Sequence, residues 1–181
     1  MAKEDSKVAM VAVLTIIMIL SATVLTFVFG FTKPKIDAYA AQQKKKAILN
    51  VLPGATKYKT IQKGNLELYK GYDKNGDLVG TAIETKGPGF QGMIKLMLGM
   101  NLKNDKVLAI KILSHLETPG LGARITEPWF ENQFKNKQFN DKFKAKSDVK
   151  AIAGATISTQ AVSDIIENTI QKVQKVTDGG E

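Results

Sequence analysis

The sequence predicts an α+β domain carried behind a single membrane-spanning helix. Three observations lead there. Residues 8–32, "VAMVAVLTIIMILSATVLTFVFGFT", contain no charged side chain. The middle of the chain holds two hairpin signatures, in which strand-like apolar runs are joined by short polar turns. The C-terminal part carries an apolar stripe at helical spacing. Antiparallel hairpins with flanking helices belong to the α+β class rather than to a doubly wound sheet.

The apolar run comes first. At about 1.5 Å per residue, a helix of that length covers a bilayer core of about 30 Å. A cleaved signal peptide is the alternative, since "AYA" at 38–40 resembles a small-x-small cleavage site. An h-region, however, spans only about 7–15 residues, and Lys33 and Lys35 intervene before that site. The division expected is a tail at 1–7, a transmembrane helix at 8–32, a juxtamembrane helix at 33–54 and a compact domain at 55–181. In the juxtamembrane segment Ile36, Tyr39, Ala40, Ala47, Ile48 and Val51 fall near one face, and Pro53–Gly54 ends the helix.

In the domain, "LELYKGY" and "LVGTAIE" flank "DKNGD", whose Asn75–Gly76 is a hairpin signal. The glycine-rich "KGPGFQG" follows. Then "MIKLMLGMNL" and "KVLAIKIL" flank "KND", with Leu108, Ile110 and Ile112 sharing a face. An amphipathic helix is expected around "ITEPWFENQF", with Trp129 in the core and Glu127 and Glu131 on a solvated face. A lysine-rich irregular stretch comes next. The final helix, from about 158 to 176, places Val162, Ile165, Ile166, Thr169, Ile170 and Val173 on one stripe.

Composition narrows the function. The chain has 181 residues, no cysteine and one histidine, His115, so neither a disulfide framework nor a zinc site is expected, and no metal. The formal charge of +9 is scattered, and the one compact run, Lys44–Lys45–Lys46, has no interleaved aromatics, so nucleic acid is not the expected partner. No GxGxxG follows a strand and no P-loop lysine is present. No catalytic residue is assigned.

Three stretches could carry chemistry. "AIAGATIST" at 151–159 leads into the last helix. It is either an ordinary entry capped by Ser158 or Thr159, or a hydroxyl placed where free N–H groups and a positive helix end favour a phosphate. "ETPGLG" at 117–122 is either a plain turn or a place where glycines let the backbone approach a flat ligand. "GPGFQG" at 87–92 leaves the same two readings open.

"HLETPGLGARI" together with "AIAGATISTQAV" resembles the covalent FMN-binding subunits of bacterial redox-driven ion pumps. These are the G subunit of the Rnf ferredoxin:NAD oxidoreductase complex and its relative, the C subunit of the sodium-pumping NADH:quinone reductase. The resemblance extends from the N-terminal span through "VLPG" and both glycine loops to the "GAT" motif, and the length favours the Rnf subunit. It implies an FMN attached through its phosphate to Thr156 by a flavin transferase acting outside the cytoplasmic membrane, with Gly154, Ala155, Ser158 and Thr159 around it. It further implies that Glu117, Thr118, Gly120, Leu121 and Gly122 surround the flavin ring. This sequence has Lys150 and Ala153 where the family commonly has an aspartate and a serine, with Asp148 two residues further back. A second Gly-Ala-Thr, ending at Thr56, has no hydroxyl pair or helix after it and is read as structural.

The function implied is a membrane-anchored electron carrier within an Rnf-type translocase, partnered by membrane and iron–sulfur subunits. The extracytoplasmic placement implied for the domain runs against the lysine count, which is denser after the span. Three other readings stay open: a flavin-free anchored scaffolding subunit, a quinone-reductase C subunit, and a stand-alone extracellular flavoprotein. The charge left on the flavin phosphate would suit the N-terminus of the last helix, with Lys150 adding to it.

Overall fold

The computed structural model describes residues 2–178, with side chains over residues 7–177. The chain forms two compact units, 1–44 and 45–181.

The first unit is helical throughout its described residues. Helix α1 (Ala2–Asn50) runs without a break through Pro34, where the sequence suggests that one helix gives way to another. Along 8–31 its large apolar side chains are exposed all round, with Phe27 at 78%. A helix whose apolar side chains are exposed all round suits lipid. Four hydroxyls on α1 support that: Thr15, Thr23, Thr26 and Thr32 each donate to the carbonyl four residues earlier at 2.7–2.8 Å. Their polar atoms are satisfied within the helix, as a bilayer interior requires.

The second unit is built on a five-stranded antiparallel sheet in sequence order. The strands are β1 (Lys57–Lys63), β2 (Leu66–Tyr72), β3 (Leu78–Pro88), β4 (Met93–Asn101) and β5 (Lys106–Ser114). Both hairpins expected from the sequence are present. The glycine-rich stretch turns out to be a third, joining β3 to β4, with Gly87 facing Ile94 and Pro88 facing Met93. Strand β1 has no clear signature in the sequence, because it is a polar edge strand with mostly exposed residues.

Helix α3 (Thr156–Asp178) crosses one face of the sheet. The stripe expected there is buried: Val162, Ile165, Ile166, Thr169, Ile170 and Val173 are all 5% exposed or less. They pack on Leu68, Ile83, Leu96, Leu98, Met100 and Ile110. The opposite face is covered by the end of α1 and the turn after it, through Ala47, Ile48, Val51 and Leu52. Ile36 and Tyr39, assigned to the same helical face, are exposed. The turn lies on strand positions without side chains: a Cβ on Gly99 would overlap the Val51 carbonyl oxygen. Glycine there lets backbone press on backbone.

Leu108 departs from the expected face. Gly99 pairs with Ala109 and Met100 with Val107, so Leu108 is the extra residue of a bulge and joins the α1 side, whereas Ile110 and Ile112 stay in the main core. The expected amphipathic helix is three short pieces: 3-10 turns at Gly122–Thr126 and Asn132–Phe134 around helix α2 (Pro128–Glu131). Here Phe130 and Phe134, not Trp129, fill the core; Trp129 is 37% exposed, with Arg124 over its ring. Glu131 is buried rather than solvated. It accepts from Lys111 Nζ at 2.9 Å and the Ile112 N–H at 3.0 Å, fastening α2 to β5.

Candidate functional site

Helix α3 begins two residues earlier than the sequence suggests, so Thr156 is its first residue. The chain enters through Gly154, whose φ of +76° closes a turn in which the Ala155 N–H donates to the Ile152 carbonyl. That left-handed conformation is one that glycine adopts without strain. Ser158 and Thr159 therefore do not cap the helix from outside; both lie in its first turn and point inward. Thr159 is fully buried, accepting from the Ile152 N–H and donating to the Ala155 carbonyl at 3.0 Å. Ser158 Oγ donates to Glu117 Oε2.

Every other hydroxyl on α3 is likewise engaged: Ser163 with Thr159, Thr169 with Ile165 and Thr85, Thr177 with Val173. Thr156 is the exception. Among the described residues nothing hydrogen-bonds its hydroxyl, which is open to solvent, and the N–H groups of Thr156, Ile157 and Ser158 have no acceptor. A free hydroxyl thus stands beside unpaired N–H groups at the positive end of a 23-residue helix.

Thr156 lines several clefts, two of which bear on the site. One, of about 340 Å³, is lined by Phe90, Thr118, Leu121, Gly122 and residues 154–158. Its walls are largely apolar, with Phe90, Leu121 and Ile157 exposed at its rim. The other, of about 710 Å³, runs along the loop 146–154 and includes Lys146 and Lys150. The first suits a flat aromatic ring and the second a charged or polar group.

Glu117 holds the apolar cleft together from behind. The residue is 4% exposed. Oε1 accepts from the N–H groups of Phe90 and Gln91 at 2.8 and 3.2 Å, and Oε2 accepts from Ser158. The Glu117 N–H donates to His115 Nδ1, which gives the lone histidine a structural part in the loop. A Cβ at Gly122 would stand 2.7 Å from both Glu117 Oε2 and Ser158 Oγ.

The loop before α3 is organised by Asp148. It accepts from the Phe143 and Lys144 N–H groups and from Lys137 Nζ at 2.8 Å. Burial works to raise its pKa, but the Lys137 hydrogen bond, the backbone donors and the Lys137 charge outweigh that and hold it below the ordinary aspartate value.

With this geometry in view, residues 89–171 match the FMN-binding domain family. Over 94% of its length the chain is 33% identical to the G component of the ion-translocating oxidoreductase complex of Methanosarcina acetivorans, covering 95% of that protein. The chain belongs to the G-component family of ion-translocating oxidoreductase complexes. The corresponding component of the proton-translocating ferredoxin:NAD(+) oxidoreductase complex of Clostridium ljungdahlii is 27% identical over 99% of this chain and all of that one. The Haemophilus influenzae counterpart is 32% identical over 81% of this chain and 80% of its own. The fold is shared with the crystal structure of Shewanella oneidensis NqrC, at a TM-score of 0.52 and 22% identity. That match covers 69% of this chain and 66% of the other, just under two-thirds of its length.

Within this G-component family member the expected site residues do not all reach the surface of the cleft. Thr118, Leu121, Gly122, Gly154, Ala155, Thr156 and Ser158 line the apolar cleft. Glu117 and Thr159 are buried behind its wall, and Gly120, with φ +74°, shapes the turn with open space before it. Phe90 and Ile157 belong to the cleft without standing out in the sequence. The only signal for Phe90 is its place in the middle of "GPGFQG". Lys150 and Ala153 line the polar cleft beside Thr156. Thr56 donates its N–H to the Tyr72 carbonyl, next to β1 and away from both clefts.

Proposed function

We propose that this chain is a membrane-anchored flavoprotein subunit of an Rnf-type ion-translocating electron-transport complex, carrying FMN esterified through its phosphate to Thr156 Oγ1. One observation carries this reading: the first hydroxyl of α3 is the one hydroxyl of that helix without a partner among the described residues, and it opens onto a cleft suited to a flat ring. In forming the ester, Thr156 Oγ1 displaces a leaving group from the phosphorus of the flavin donor that the transferase supplies, the hydroxyl proton leaves with that group, and the phosphodiester keeps a negative charge. The free N–H groups of the first turn and the helix dipole favour that charge, and Lys150 and Lys146 add to the local potential. Phe90, Leu121 and Ile157 offer apolar surface to the ring, while Thr118, Gly122, Gly154 and Ala155 complete the walls. Bound FMN supplies the electron chemistry; the protein fixes its place and its electrostatic surroundings.

In this reading the chain has no independent substrate site and acts as an oxidoreductase, a translocase, only within the complex. The electron path from ferredoxin to NAD follows the activity for which the clostridial relative is named. Its partners are membrane and iron–sulfur subunits. A flavin transferase outside the cytoplasmic membrane matures it, which requires the domain on the extracytoplasmic side. The full chain, co-expressed with a flavin transferase, should give a band that fluoresces under ultraviolet light in a denaturing gel. The Thr156→Ala chain should give none. A dark parent band would favour the flavin-free scaffolding subunit instead.

A further inference from the structure

Glu117 is a buried acid whose three hydrogen bonds tie together distant parts of the chain. The Phe90 and Gln91 N–H groups at the tip of the β3–β4 turn both donate to Oε1, while the turn itself is closed by the Gly89 N–H on the Gly92 carbonyl at 2.7 Å. Oε2 takes the Ser158 hydroxyl, two residues after Thr156. The carboxylate thus spans from one wall of the cleft, carrying Phe90, to the other, carrying Thr156. Among the described residues no lysine, arginine or histidine pairs with it. Its carboxylate is met only by neutral donors, so no counter-ion offsets a charge there, and in a poorly screened interior a charge acts over a longer range than at the surface. Gly122 and Ser158, which line the cleft, both lie against it.

We propose that Glu117 is a positioning residue of the flavin site, setting the separation of the Phe90 and Thr156 walls and holding the flavin potential down with a fixed negative charge behind the ring cleft. The inference rests on the flavin reading above. A nearby fixed anion opposes the addition of electrons to the ring, so removing the charge while keeping the ties raises the midpoint. Glutamine does this: its Oε1 accepts the same two N–H groups, and its Nε2 donates to Ser158 Oγ, which can accept as well as donate. Alanine removes the ties as well as the charge.

The test uses the full chain matured by a flavin transferase, with redox titration of the attached flavin and amide hydrogen exchange. Glu117→Gln should keep parental flavin loading, absorption spectrum and slow exchange at Phe90 and Gln91, with a midpoint shifted to more positive potential. Glu117→Ala should lose the slow exchange at both amides and shift the flavin spectrum towards that of FMN in water. Should Glu117→Ala fail to fold, Ser158→Ala cuts the α3 tie alone and should give the same spectral shift in smaller degree. A Glu117→Gln midpoint equal to the parent's overturns the charge part of the proposal. Parental exchange and spectrum in Glu117→Ala, or a parental spectrum in Ser158→Ala where that variant stands in, overturns the positioning part. Exchange is also read on flavin-free Thr156→Ala chains with and without Glu117→Ala, so the tie is decided separately from the flavin reading, which falls if the parent carries no flavin.

Discussion

Thr156 owes its availability to its neighbours, whose hydroxyls are all committed. Ser158 is taken by Glu117 and Thr159 by the backbone on either side of the helix start, so the first turn of α3 is held without Thr156. Thr156→Ala should accordingly abolish covalent flavin while thermal unfolding changes by about 0.5 kcal/mol or less, the range of an unengaged surface site. Gly122→Val belongs to the same scale. From the sequence it should crowd the ring; the fold puts its Cβ against Glu117 and Ser158 at 2.7 Å instead. The expected outcome is therefore a cost of about 1–3 kcal/mol from overpacking, measured by thermal unfolding, together with a disturbed flavin spectrum. The place of Thr156 near the start of the last helix was legible because its motif is local. The part played by Glu117 was not, because its partners lie 26, 27 and 41 residues away and only the folded sheet brings them together.

Among the elements, hairpins and the last helix were readable because turn residues and apolar periodicity are written within a few residues of one another. The segment 122–134 misled because Ile125, Phe130 and Phe134 have near-helical spacing, yet the backbone breaks at Glu127, which is extended before Pro128. The loop after it is held both by buried Phe143, Val149 and Ile152 and by the Asp148 carboxylate. Phe143 is fully buried with φ +44°, a costly conformation for a bulky residue, and its N–H rests on the Asp148 carboxylate. Because Asp148 has its pKa lowered in the folded chain, its contribution is fully present above the ordinary aspartate value of about 3.9 and is lost as pH falls through the lower folded value. Amide exchange at Phe143 and Lys144 should accelerate beyond the intrinsic pH trend over that acidic window, and Asp148→Asn should show the faster exchange at neutral pH. Across the sheet, Gly99→Ala would drive a Cβ into the Val51 carbonyl, against backbone that has no side chain to swing aside. A loss of at least about 1–3 kcal/mol in thermal unfolding is expected; an unchanged transition would mean that the turn after α1 does not rest on the sheet as described.

For the whole molecule, the apolar helix and the compact domain were legible from charge and periodicity, whereas the continuity of α1 through Pro34 was not, since proline usually marks a helix boundary. Sidedness is a property of the whole chain that no local feature decides. Lysines crowd the segment after the span, but long domains translocate largely regardless of such charges. A reporter active only after export, fused after Glu181, should be active, and a reporter active only in the cytoplasm should be silent; the reverse pair would put the domain inside. The central claim is that Thr156 bears the flavin. Intact-mass measurement of the full chain matured by a flavin transferase, followed by peptide mapping, tests it most directly. The expected result is a mass increase of one FMN less one water, located on the peptide containing Thr156. An unmodified chain, or an adduct on the peptide containing Thr56, would contradict it.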